Sequence, residues 1–178
     1  SNFFTHFSER NNGSTENILT LPYDQNNAGG FNLPQMTLHY LSQNTYNLQE
    51  QPWNGYASLE EFYNNFDDDD VRKNSFLVGP QFASDGSRLN DISAEPNDPD
   101  GPPLTFTPEI NELTPSALRQ AGARVGKFEF ASGAASSLNN DYPLIRLGDI
   151  ILIKAEAAFR QGKTGDALTA INQVRTRA

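Results

Sequence analysis

The stretch Asp141-Tyr142-Pro143-Leu144-Ile145-Arg146-Leu147 and everything after it to Ala178 constrains the fold most, because it spells two helices and the turn between them. Pro143 holds the chain extended just before the first helix. Leu147, Ile150, Ile151, Ala155, Ala158 and Phe159 then recur at three- and four-residue steps, one stripe of an α-helix. Leu152 and Ile153 widen the stripe, so the spacing predicts burial on more than one side. Gly162 supplies the left-handed residue that ends a helix. Thr164 is expected to cap the second helix, with Asp166 in its first turn, where the helix dipole favours an anion. Ala167, Ile171, Val174 and Ala178 form its apolar seam. Two such helices on a tight turn pack antiparallel.

Ala155, Ala157 and Ala158 are small where the helices approach, and Gly162 followed by Ala167 repeats the spacing of tetratricopeptide hairpins, whose unit is about 34 residues. A single unit cannot cover its own apolar face. Either further repeats lie outside this chain, or the hairpin packs on the rest of it.

Upstream, the signals are weaker and more local. Ser58 is expected to cap a helix running to about Phe66, because Leu59, Phe62, Tyr63 and Phe66 share one face and Glu61 completes a capping box. Thr114-Pro115 reads as another helix start, shortened by Gly122. Val125 to Phe130 alternates as a strand would. Residues 31–46, with Leu33, Met36, Leu38 and Tyr40, fit a half-buried extended stretch or a turn region equally well. Residues 81–113, centred on Pro96-Asn97-Asp98-Pro99-Asp100-Gly101-Pro102-Pro103, are expected to be one long loop rather than a packed element.

Formal charge is −9 and cysteine is absent. The first would repel nucleic acid and anionic headgroups; the second excludes disulfides and cysteine catalysis within these residues. Asp67-Asp68-Asp69-Asp70 lacks the glycine and closing glutamate of a calcium loop and reads as a solvated run, while Asn97-Asp98-Pro99-Asp100-Gly101 is equally short of ligands. His6 and His39 sit at no spacing that completes a metal triad. Neither a nucleophile elbow nor a phosphate loop is present. No catalytic residue, metal or cofactor is therefore assigned. Arg146, Asp149, Glu156, Arg175 and Arg177 read as ion pairs that fix the hairpin, with Arg175 reaching Asp149 or Glu156.

Candidate ligand contacts concentrate in Pro52-Trp53-Asn54-Gly55-Tyr56, which puts the single tryptophan, an amide, a glycine and a tyrosine in one loop. Sugar rings stack their C–H faces on aromatic planes and offer hydroxyls to amides, so Trp53, Asn54 and Tyr56 fit a saccharide. Packing the loop on the core would use the same residues. Tyr40 and Asn44, beside Tyr46 and Asn47, form a second aromatic and amide cluster. Asn26-Asn27-Ala28-Gly29-Gly30 is a turn that can present amides, although turn formation alone explains it.

Taken with the hairpin, several blocks resemble the SusD/RagB family of surface glycan-binding lipoproteins of Bacteroidetes. The segment Asp141-Tyr142-Pro143-Leu144-Ile145-Arg146-Leu147, followed by Asp149, Ile150, Leu152, Ala155-Glu156-Ala157, Gly162, Ala167, Ile171-Asn172, Val174-Arg175 and Arg177-Ala178, is similar to the family's C-terminal signature. Gly122, Arg124, Lys127 and Phe128 resemble the segment before it. Glu61-Phe62-Tyr63, Phe66, Asp70 and Arg72 resemble another block, as does Glu16-Asn17-Ile18-Leu19-Thr20-Leu21-Pro22-Tyr23-Asp24. The resemblance implies a mainly α, loop-rich SusD-like domain over residues 1–178, with a tetratricopeptide-like hairpin at 142–178. It implies non-catalytic capture of an oligosaccharide or polysaccharide and delivery to a SusC-like TonB-dependent transporter at the outer membrane. Attachment to that membrane would run through a lipid anchor outside this chain, which is expected to be an internal piece of a longer protein. A tetratricopeptide-like protein-interaction module and a glycoside hydrolase fragment are the competing readings.

Overall fold

In a computed structural model, residues 3–93, 102–110 and 118–176 are described. In chain order the helices are α1 (Leu33–Thr37), α2 (Ser42–Tyr46), α3 (Glu60–Asn64), α4 (Leu147–Arg160) and α5 (Thr164–Arg175). The strands are β1 (Asn17–Leu21), β2 (Phe76–Leu77), β3 (Gly79–Pro80), β4 (Thr105–Phe106), β5 (Arg124–Val125) and β6 (Tyr142–Arg146), with 3-10 turns at Phe3–Phe7 and Val71–Ser75. Strands pair only two at a time, all antiparallel: β1 with β6, β2 with β5 and β3 with β4. Each pair joins segments far apart in sequence, so the sheets work as clasps rather than layers.

The hairpin forms as expected. Ile151 and Ala155 of α4 pack on Ala170 of α5 with Val174 beside them, which fixes an antiparallel register. Asp149 accepts a hydrogen bond from the Arg146 backbone N–H at 2.9 Å and lies 3.4 Å from its guanidinium, closing the first turn of α4. Gly162 takes φ 75°, the left-handed conformation the turn requires. Three details differ. Lys163, not Thr164, stands at the cap position of α5, and Thr164 is its first helical residue. Glu156 pairs with Arg160, one turn along the same helix, at 2.6 Å, so Arg175 does not hold it. Only Ile151 and Ala155 of the α4 stripe are buried, while Phe159 is 64% exposed and Leu147, Ile150, Leu152 and Ile153 also face outward. The described residues thus close the seam between the helices and leave the outer face of α4 uncovered.

The body is built differently. Phe7, Phe31, Phe128 and Leu138, from three well-separated regions of the sequence, form its main buried cluster. The Phe7 and Phe31 rings meet Phe128 nearly edge-on at 5.3 and 4.9 Å, the arrangement aromatic quadrupoles favour. Burying backbone here needs polar partners, and two asparagines provide them. Asn11 donates to the carbonyls of His6 at 3.0 Å and Asp141 at 2.9 Å and accepts from the Asp141 N–H at 2.8 Å. Asn140 donates to the carbonyls of Phe7 and Glu129.

Several local expectations change under these long-range contacts. Residues 31–46 resolve into α1 and α2, the latter ended by Asn47 at φ 51°. Leu59 takes the cap position of α3 in place of Ser58, because the Ser58 N–H is bonded to the Ala123 carbonyl at 2.8 Å and holds that residue extended. The strand ends at Val125, with one further ladder bond from the Gly126 N–H to the Ser75 carbonyl at 2.7 Å, before Phe128 turns into the core. The expected loop 81–113 is packed in its described parts: Leu89, Leu104 and Phe106 make a second buried cluster, and β4 lies within the segment. The Thr114-Pro115 helix start and the Asn97–Gly101 motif lie outside the described residues. The aspartate run serves the chain itself. Asp70 caps the Val71–Ser75 turn and pairs with Arg72 at 2.5 Å, and Asp68 pairs with Lys73 at 2.7 Å.

Candidate functional site

The Trp53 loop is laid along the end of α1 and bonded to it from Trp53 to Tyr56. The N–H groups of Trp53, Asn54 and Gly55 donate to the carbonyls of Gln35 at 2.9 Å, Leu38 at 2.9 Å and Met36 at 2.6 Å. The Tyr56 carbonyl accepts from the Thr37 hydroxyl at 3.1 Å, and the Tyr56 hydroxyl donates to the Leu33 carbonyl at 3.2 Å. Two residue types make this close approach possible. Asn54 adopts φ 53°, which asparagine tolerates better than other side-chain-bearing residues. Gly55 lies so close to α1 that an added Cβ would stand 3.0 Å from the Met36 oxygen.

The outcome is a fixed backbone carrying a bare indole. Pro52 is buried, whereas Trp53 is 52% exposed, and among the described residues no ring or cation covers it. Tyr56 shows about a third of its surface beside it. The Asn54 Oδ1 is buried without a hydrogen-bond partner. A preorganised aromatic with neighbouring polar groups loses little entropy when a flat ligand stacks on it.

Tyr40 and Asn44 occupy a neighbouring junction that anchors the 81–93 segment. The Tyr40 hydroxyl donates to Asp91 Oδ1, and the Asn44 carbonyl accepts from the Ser84 N–H at 3.0 Å. Asp91 also meets His39 Nε2 at 3.1 Å and Arg119 at 3.3 Å. Sequence pattern did not single out this group, since Asp91 sits in a polar loop with no periodicity. Its chemistry is legible in the geometry. The Leu41 N–H donates to His39 Nδ1 at 3.2 Å, so the ring proton resides on Nε2 and points at Asp91. Burial pushes the His39 pKa down to about 4 against the opposing pull of Asp91. Burial alone would raise Asp91, yet Tyr40, His39 and Arg119 hold its carboxyl below the usual range. A neutral histidine locked on a carboxylate, both fully buried, tethers the loop and offers no open face to a substrate.

A separate concavity of about 350 Å³ opens where three segments converge, lined by Glu9 and Arg10, by Tyr23 to Asn26 and by Asn139 and Asp141. None of the five residues singled out from sequence lines it. No group of histidine and acidic side chains able to hold a metal ion occurs among the described residues, and none of their helices is long and apolar enough to cross a membrane.

Residues 121–178 match the model of the SusD family. Over 99% of this chain, the fold superposes on surface glycan-binding protein A from Bacteroides thetaiotaomicron (TM-score 0.67, 22% identity, 38% of that chain). It likewise superposes on SusD superfamily proteins from Parabacteroides distasonis (TM-score 0.62, 18% identity) and Bacteroides fragilis (TM-score 0.63, 24% identity), in each case over 99% of this chain and 34% of theirs. The chain thus spans little more than a third of the length of the structures it matches. No curated protein matches it. By sequence, residues 121–178 resemble the SusD family, and over nearly its whole length the chain shares the fold of the structures named above.

Proposed function

We propose that the chain belongs to a non-catalytic, surface-exposed glycan-binding lipoprotein of the outer membrane. In this reading it passes oligosaccharides to a SusC-like TonB-dependent transporter and does not cleave them. The observation that carries the binding step is Trp53, a half-exposed indole on a loop whose N–H groups from Trp53 to Tyr56 donate to carbonyls at the end of α1. Asn54 and Tyr56 flank it, and Tyr40 and Asn44 belong to the adjoining junction. Stacking supplies attraction that is insensitive to the order of hydroxyls, and placed amides supply orientation. The match of residues 121–178 to the SusD family model and the likeness to the surface glycan-binding protein of Bacteroides thetaiotaomicron support the ligand class.

Calorimetry against a panel of neutral oligosaccharides, followed by mass spectrometry of the bound sugar after long incubation, tests it. Binding with an unchanged chain-length distribution is expected. Shorter products that disappear when a carboxylate is mutated would make the protein a glycoside hydrolase.

A second reading has its own observation. Leu152 and Phe159 are exposed on one side of α4 and Ile150 and Ile153 on another, apolar surface of the kind a tetratricopeptide-like hairpin uses to dock another helix. Capture of a protein partner that survives Trp53→Ala, with no sugar bound, would favour it.

A further inference from the structure

We infer that the cleft between Glu9, Tyr23 and Asn139 is a second saccharide subsite, selective for neutral sugars with adjacent free hydroxyls. The inference rests on the glycan reading and extends it to a place the aromatic loop does not reach.

Its walls are rigid. Asn11 clamps the floor by three hydrogen bonds to His6 and Asp141, and it is almost wholly buried. The Gln25 N–H donates to Asn139 Oδ1 at 3.0 Å, and the Tyr23 N–H donates to Asp141 Oδ1 at 3.2 Å, stitching the second wall to the third. Asp24 Oδ1 accepts from the N–H groups of Asn26 and Asn27 at 2.8 and 3.0 Å and fixes the turn that forms the rim.

Its tips are unoccupied by the protein. Among the described residues, no hydrogen bond holds the side chains of Arg10, Asn12, Gln25 or Asn26, although all four line the cleft. All four are solvent-exposed, so their planar amides and guanidinium are free to bond a ligand over a rigid backbone. The volume of about 350 Å³ falls within the usual range for small-ligand sites, roughly 300–1,000 Å³. A narrower recess of about 110 Å³ shares Glu9, Gln25 and Asn139 and continues to Gln49, so the groove has the length for more than a single ring. Gln49 lies four residues before Trp53, at most about 14 Å of extended chain, within the span of a short oligosaccharide.

Charge decides the class. Glu9, Asp24 and Asp141 face one arginine across the cleft, and the Asn26 N–H holds the Asp24 carboxyl below its usual range. Uronic acids and sulfated sugars would be repelled. Amide and carboxylate groups instead suit vicinal hydroxyls, each of which donates and accepts.

The test uses cellohexaose, maltohexaose, mannohexaose and a galacturonic acid hexamer with the protein and two variants. Gln25→Ala/Asn26→Ala removes two unbonded rim amides, so its thermal midpoint should stay unchanged. Its affinity for whichever neutral hexasaccharide binds should fall about tenfold, as two modest hydrogen bonds imply, and amide resonances of residues 23–26 should shift on titration. The galacturonic acid hexamer should not bind. If Trp53→Ala weakens binding while the rim variant binds normally, the second subsite is overturned and the glycan reading stands. Equal affinity for the acidic hexamer overturns the neutral selectivity. If no hexasaccharide binds the unmodified protein, the glycan reading itself falls, and the subsite with it.

Discussion

The hairpin and the body use opposite routes to order. Between α4 and α5 the apolar seam joins residues within one short stretch, Ile151, Ala155, Ala170 and Val174, and only the start of α4 reaches back, through Leu147 and Gly148, to Glu16. The body instead assembles Phe7, Phe31, Phe128 and Leu138 across more than a hundred residues, pinned by Asn11 and Asn140. Local order tolerates small losses one turn at a time. Long-range order fails together, because removing one member leaves cavities and unpaired polar groups in several segments.

That contrast is open to a direct challenge. Phe128→Ala empties the centre of the aromatic cluster and should cost about 3–5 kcal/mol in chemical denaturation. A loss no larger than that of a hairpin substitution would show that the body is not organised around this ring. Acidification probes the buried lock next. Because the His39 pKa falls from its ordinary 6.5 to about 4 on folding, the unfolded chain binds the extra proton between those values. Stability should therefore be full above pH 6.5 and decline as pH drops towards 4, by on the order of 2–4 kcal/mol. A His39→Gln variant should lack that slope, and an identical slope in the variant would remove His39 from the account.

Smaller effects are expected in the hairpin. Ala155→Leu adds methylenes where the helices touch, an overpacking cost of about 1–3 kcal/mol. Arg160→Ala removes an exposed pair with Glu156 and should shift the thermal midpoint hardly at all. Equal tolerance at both positions would mean that the tight seam does not exist.

The same contrast explains what the sequence made visible. The two helices and the turn between them were readable, with the α5 cap off by one residue and Ala178 outside the described residues, because helical period, Gly162 and Pro143 are all local signals. Its cover was not, since periodicity shows that Phe159 and Ile153 are apolar but not what lies against them. In the body, Ser58 had every mark of a cap, yet pairing with Ala123 claimed its backbone. Leu89, Leu104 and Phe106 sat in a stretch whose prolines and aspartates suggested only a loop. Of the candidate site, the aromatic loop stood out by residue type. Of the amide cleft only the Asn26 turn did, because its walls come from residues 9–12, 23–26 and 139–141, which only the fold brings together.

The central claim is that Trp53 is a ligand platform on a rigid loop rather than a core anchor. Titrating Trp53→Ala and the unmodified protein with the same oligosaccharide, alongside their thermal midpoints, tests it most directly. The account predicts affinity weaker by about 1–3 kcal/mol with the midpoint nearly unchanged, since the bonds to α1 are made by backbone that alanine retains. A large fall in the midpoint with affinity intact would contradict it.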